Sequence, residues 1–189
     1  QLTAGERREF TCLNTGRYVI VELYKRDYLT LCEVEVYGAE CYCANKKGKR
    51  VTGSHYFKDP AQCDSIQYPR KSCEATEETS EDNLALNKPT DQIDVGWGGL
   101  STRAVDGNKD PNWRAATCVH TLLRENPWWS VDLGKLYRVD KVTLVNRQDC
   151  CSERLANLVI GTSERHPREL GPTPGNYRVC ASQVQKMNA

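Results

Sequence analysis

The chain of 189 residues contains no apolar run near the ~18 to 20 residues of a membrane span, so no membrane insertion is expected. It has three histidines, one methionine and no repeated Cys-x-x-Cys pairs, a poor match to zinc ribbons and fingers. It has no excess of charge: 26 basic side chains face 25 acidic ones, for a net charge of +1, which gives no electrostatic reason to expect nucleic acid or an anionic membrane as partner. Asn-x-Ser/Thr is missing, so N-glycosylation is not expected. Gln1 opens no signal peptide, and the chain reads as a mature or excised sequence. A convincing amphipathic helix is also lacking. What the chain does have is cysteine, ten in all. An even count without metal-ligand spacing points to disulfides, and therefore to an oxidising compartment and a secreted protein.

Residues 17–37 read as two strands, Tyr18 to Leu23 and Leu29 to Tyr37, joined through a turn at Lys25 to Asp27, hence a hairpin. Residues 40–82 change character: four cysteines, a basic run from Lys46 to Arg50 and an acidic tail from Glu74 to Asp82 describe an insert or very small module ending in a solvated linker. From Asn83 the pattern is again β, with strands at Trp129 to Leu133, Tyr137 to Asn146 and Leu155 to Gly161 between Gly, Pro, Asn and Asp clusters. Many short strands with turn signals predict an all-β, disulfide-rich jelly-roll β-sandwich.

His120 is followed after 26 residues by Arg147, then Gln148, Asp149 and four residues, Cys150, Cys151, Ser152 and Glu153, before Arg154. This spacing resembles the signature of the fucose-binding F-type lectin family, whose fold is discoidin-like. NLALNKPT (83–90), AVDGNKDPNW (104–113) and NPWWSVDLG (126–134) are similar to that family's opening strand, calcium loop and central strand. FTCLNTGRYVIVEL and LTLCEVEVYG, at the front, resemble its last strands. The order is rotated, as in a circularly permuted domain or a repeat excised out of phase. Residues 1–39 would then be terminal strands packing on a main body, 83–189, with 40–82 between them. Termini of folded domains often lie close together, which makes such a rotation tolerable.

The resemblance implies disulfides from Cys12 to Cys180, Cys32 to Cys118 and Cys150 to Cys151. Four cysteines are left, Cys41, Cys43, Cys63 and Cys73, all in the insert, with three connectivities open to them. Adjacent Cα atoms lie only ~3.8 Å apart, shorter than the usual disulfide span, so the vicinal pair would close a strained ring. That ring would be a rigid sulfur surface on which one face of the sugar packs.

By the same resemblance His120, Arg147 and Arg154 form the polar triad for fucose. Forked guanidinium donors suit vicinal hydroxyls. Trp113 stands where the family has an aromatic facing the sugar's methyl group, while Arg114 departs from a second aromatic wall sometimes found there. Asp149 and Glu153 read as supports that hold and partly neutralise the arginines. The rings of Trp128 and Trp129, adjacent in a strand, face opposite ways, one of them toward the core. Trp97, among glycines, either touches sugars beyond the first or packs its own loop.

The resemblance further implies a structural calcium ion, with ligands from Arg103, Asp106, Asn108, Thr117, Cys32 and Glu33. Closely spaced oxygens suit a hard cation, although Asp-x-Asn also caps turns. The expected function is calcium-dependent binding of terminal fucose on glycans, made multivalent by oligomers or tandem repeats. A discoidin-like module adhering to protein or lipid is the alternative. An enzyme is not expected, because Asp149 and Glu153 lie among arginines that keep them ionised, and redox motifs usually separate their thiols by two residues.

Overall fold

A computed structural model describes residues 1–41, 80–171 and 176–183. It is all β, apart from three short 3-10 helices and one helical turn: β1 (Arg7–Leu23), β2 (Arg26–Asp27), β3 (Thr30–Leu31), β4 (Glu33–Glu40), β5 (Thr90–Gln92), η1 (Ser101–Val105), η2 (Trp113–Ala115), β6 (Val119–His120), β7 (Arg124–Glu125), β8 (Trp128–Val145), η3 (Ser152–Arg154), β9 (Leu158–Ser163), α1 (Pro167–Leu170) and β10 (Arg178–Ser182). The main sheet runs β10-β9-β1-β8-β4, with β5 also paired to β8; β2/β7 and β3/β6 form two small ladders.

The front segment is not a hairpin. β8 lies between β1 and β4, antiparallel to both, with Arg7 and Glu33 both opposite Val145. Alternation reports which face a residue takes, but not which strand lies beside it. The two strands expected near 129 and 137 are one strand, Trp128–Val145. Gly134, at φ +87°, donates its amide to Asp132 Oδ1, and β1 passes from Gly16 opposite Tyr137 to Tyr18 opposite Asp132, so these turn residues make a bulge. The strand expected at Leu155 starts instead at Leu158, because Asn157, at φ +53°, turns the chain first.

Burial along β1 follows the period of two. Val19, Val21 and Leu23 enter the main core beside Trp129, Val131 and Leu133 of β8, whereas Ile20 packs on the reverse face with Val159 and Tyr177. Burying each such side chain contributes about 1.5 to 3 kcal/mol. Trp129 and Trp128 take opposite faces as expected, yet both are buried; Trp129 Nε1 donates to the Ser101 carbonyl, and the Arg168 guanidinium covers Trp128 at 5.3 Å.

Disulfides join Cys12 to Cys180, Cys32 to Cys118 and Cys150 to Cys151, the pairings that the resemblance implies. The first links β1 to the edge strand β10, and the second links the β3–β4 junction to the residue before β6. Cys41 is also disulfide-bonded. Cys43, Cys63 and Cys73, and with them the pairing and role of the insert, lie outside the described residues. No helix among the described residues is long and apolar enough to cross a membrane.

Candidate functional site

The site lies where β8 ends. Asn146, fully buried, anchors the loop that follows: its Nδ2 donates to the carbonyls of Leu2, Thr3 and Ser152 at 3.2, 3.0 and 3.0 Å, and its Oδ1 accepts from the Arg147 amide at 2.8 Å. The N-terminal residues therefore buttress the loop that carries Arg147 to Arg154. Nothing in the sequence marked Asn146, since its partners are backbone carbonyls distant in the chain.

Arg147 is only 7% exposed, and its Nε and Nη2 donate to Asp149 Oδ1 and Oδ2 at 2.8 Å each. The same carboxylate accepts from the Trp113 amide at 3.0 Å, and the Arg147 guanidinium lies 5.0 Å from the Trp113 ring centre. Hydrogen bonds from Arg147 hold the Asp149 carboxyl far below the usual carboxylate range. Asp149 and Arg147 thus form a two-pronged ion pair. Glu153 is exposed, and no ion pair or hydrogen bond joins it to either arginine.

His120 is buried. Its Nδ1 lies 2.6 Å from the Thr121 carbonyl, an acceptor only, so this nitrogen carries the proton and Nε2 is left to accept from Arg154 Nη1 at 3.3 Å. Burial first, then the charges of Arg154 and Arg147, push its pKa down, while the Thr121 bond opposes the shift. The ring is neutral at pH 7. Three aromatic rings surround it edge-on, with centres 4.7 Å away at Trp97 and 5.5 Å away at both Tyr28 and Trp113. Gly99 allows this closeness, since a Cβ there would lie 2.5 Å from the His120 amide nitrogen and 2.9 Å from Trp113 Cη2. Trp97 is 66% exposed at φ +48°.

His120, Arg147, Arg154 and Trp113, all expected binding residues, thus form one contact cluster, and the Cys150–Cys151 disulfide lies in the loop between the two arginines. Cys150 is exposed and Cys151, at φ +60°, begins the turn that returns Arg154 toward His120. Tyr28 was not expected here. Arg154 lies over its ring at 4.5 Å, yet in the sequence Tyr28 is one aromatic in a strand-like run, and only the β3/β6 ladder brings it to His120.

The Asp106 loop is a relay of turns. Asp106, Asn108, Asp110 and Asn112 each accept from the amide two residues on, at 2.8, 3.2, 2.9 and 3.0 Å. Thr117 Oγ1 donates to the Asp110 carbonyl at 2.6 Å, and the Arg103 guanidinium lies 5.5 Å from the Trp113 ring centre. Beside this loop Glu33 is fully buried, with no hydrogen bond to either carboxylate oxygen among the described residues. Burial, then the nearby Asp106 charge, pushes its pKa up to about 8. A buried carboxylate without partners is costly, and a cation is its natural complement. No group of three or more His, Cys, Asp or Glu fit to hold a metal occurs among the described residues. The expected set leans instead on carbonyls with only Asp106 and Glu33 as carboxylates, which fits a hard cation.

A family model described as a NedA-like, galactose-binding domain matches residues 103–189. Fucolectin-1 of Anguilla japonica is 37% identical over 100 residues, covering 49% of this chain and 56% of that protein. Fucolectin-6 of the same eel is 42% identical over 76 residues, 38% of this chain and 41% of that protein. A pentraxin fusion protein of Xenopus laevis is 38% identical over 65 residues, 33% of this chain and 16% of that protein. The chain spans about half or less of the length of these relatives. No solved structure gives a significant match. Over these spans the chain is similar to fucolectins and to a galactose-binding domain, and the all-β architecture agrees with that similarity.

Proposed function

We propose that this chain is a secreted lectin domain that binds terminal L-fucose on glycans and catalyses no reaction. The observation that carries the reading is the convergence of Arg147, Arg154 and His120 beside Cys150–Cys151 and Trp113, which sets directional donors against an apolar wall. Arg147 and Arg154 donate to ring oxygen and vicinal hydroxyls, the neutral His120 ring contributes Nε2, the disulfide meets one sugar face, and Trp113 meets the methyl group. The relatives' printed names, fucolectins, support the ligand class. Hydrolysis is disfavoured because Asp149, tied to Arg147, is no acid at neutral pH.

Calcium belongs to the same proposal, held by Asp106, Glu33 and carbonyls of Arg103, Asn108, Thr117 and Cys32. When bound it supplies positive charge to two carboxylates. The residues themselves tie the Asp106 loop to the start of β4, next to Cys32–Cys118.

The permuted order, with 1–39 completing a body at 83–189 around the insert 40–82, is supported by the central place of β1 in the sheet and by the Cys12–Cys180 bridge. Multivalency would come from oligomers or tandem repeats. A glycan array with and without calcium chelation, run beside Arg154→Ala, tests the function. Fucosylated glycans should stand out and be lost in the variant; an array without fucose preference, or a variant that binds as well as the parent, ends the reading.

A further inference from the structure

The two arginines of the site are held by different means. Arg147 meets a carboxylate two residues away through a two-pronged ion pair and has a side chain only 9% exposed. Arg154 has no carboxylate partner among the described residues, although Glu153 precedes it. What it has is Tyr28. The guanidinium carbon lies 4.5 Å from the centre of the phenol ring, and Nη1 approaches His120 Nε2 at 3.3 Å.

The backbone around Tyr28 is fixed on both sides. Its amide donates to Asp27 Oδ1 at 2.8 Å, and Asp27 is paired to Lys25 at 2.7 Å. The next residue, Leu29, donates its amide to Thr121 Oγ1 at 2.9 Å and accepts from the Thr121 amide at 3.1 Å. Arg26 and Asp27 pair with β7, and Thr30 and Leu31 with β6, so the ladders hold Tyr28 between them. The ring is half-buried and outside the main core; its neighbours are Arg154, His120 and Trp97, the last at 5.4 Å. Its hydroxyl has no hydrogen-bond partner among the described residues.

We infer that Tyr28 is a positioning residue of the sugar site, whose ring face holds Arg154 toward the ligand without neutralising it, as Asp149 holds Arg147 by neutralising it. This inference rests on the reading of the site as sugar-binding. A carboxylate fork occupies two of a guanidinium's five N–H groups and cancels its charge. An aromatic face occupies none of them, because a stacked cation keeps its in-plane donors free. Arg154 therefore brings more unspent donors to a polyol than Arg147 does, and Tyr28 fixes where they point.

The test compares Tyr28→Phe and Tyr28→Leu with the parent chain, by calorimetric affinity for free L-fucose and by proton NMR of the Arg154 side chain without ligand. A ring under Arg154 shifts its side-chain protons upfield. The shift should persist in Tyr28→Phe and vanish in Tyr28→Leu. Affinity should stay within about twofold for Phe and fall about 10-fold for Leu, the size of a cation–π contact, with thermal midpoints unchanged. A Leu variant that keeps parental affinity overturns the inference while the sugar reading stands. A parent chain that shows the Arg154 shift but does not bind fucose sinks the sugar reading and leaves the packing role in place. If Leu lowers the thermal midpoint along with the affinity, Tyr28 is merely structural and the inference falls.

Discussion

One wall of the site is carried by consecutive residues from Asn146 to Arg154, while the other is gathered from Tyr28, Trp97, Trp113 and His120. The first wall holds itself by local bonds, Arg147 to Asp149 and Cys150 to Cys151, on a base set by Asn146. The second is held by long-range ties: the β2/β7 and β3/β6 ladders, the Cys32–Cys118 bridge and the close approach at Gly99. A self-held wall can be read from spacing and damaged by a point change. An assembled wall depends on the fold remaining closed, and its loss should appear first as lost stability.

The largest effect should therefore come from removing a long-range tie. Cys32→Ala with Cys118→Ala opens a bridge between residues 86 apart and should lower unfolding free energy by roughly 3 to 5 kcal/mol in a urea titration. Cys150→Ser with Cys151→Ser should cost far less stability, because the loop it opens is a single peptide unit, and should instead weaken fucose binding.

Next is the carboxylate inside the self-held wall. Asp149→Ala strands the nearly buried Arg147 and frees the Trp113 amide, and should lower stability by about 2 to 3 kcal/mol. Since the folded pKa of Asp149 is depressed, that contribution is complete above the ordinary aspartate value and lost as pH falls through the folded one. The difference between parent and variant should accordingly narrow in acid.

A smaller effect separates the walls by pH. The folded pKa of His120 is depressed, so the stability it lends is present above the ordinary histidine value and lost as pH falls through it toward the folded one. Protonation would also turn Nε2 from acceptor to donor opposite Arg154. Fucose affinity should drop about 10-fold on acidification, beginning below the ordinary histidine value, as followed by titrations from about pH 7.5 to pH 5. Smallest of all is Glu153→Ala, expected to leave stability within about 0.5 kcal/mol and fucose affinity unchanged. A large loss there would mean that Arg154 does have a carboxylate support, and would erase the contrast between the walls.

Legibility followed the range of the interactions. Asp149 meets the Arg147 guanidinium because their short separation in the loop leaves its carboxylate little choice of partner, whereas Glu153, with the same chemistry one residue from Arg154, is exposed and pairs with neither arginine. Trp128 and Trp129 were placed on opposite faces by strand geometry alone. That both are buried required Arg168, which lies across Trp128 while its Nη2 donates to Asp91 at 2.8 Å. The apparent hairpin failed for the same reason: alternation in Tyr18 to Leu23 and Leu29 to Tyr37 is a property of each strand, and the strand between them is supplied from residues 128–145.

By itself the sequence determined the all-β character, the oxidised cysteines and the spacing of His120, Arg147 and Arg154, since these follow from residue type and short-range order. Only the tertiary structure decided that β8 parts the two front strands, that Glu33 is fully buried beside the Asp106 loop and that Arg154 rests on Tyr28. Burial and aromatic contact depend on which distant segments meet, and local pattern does not encode that meeting.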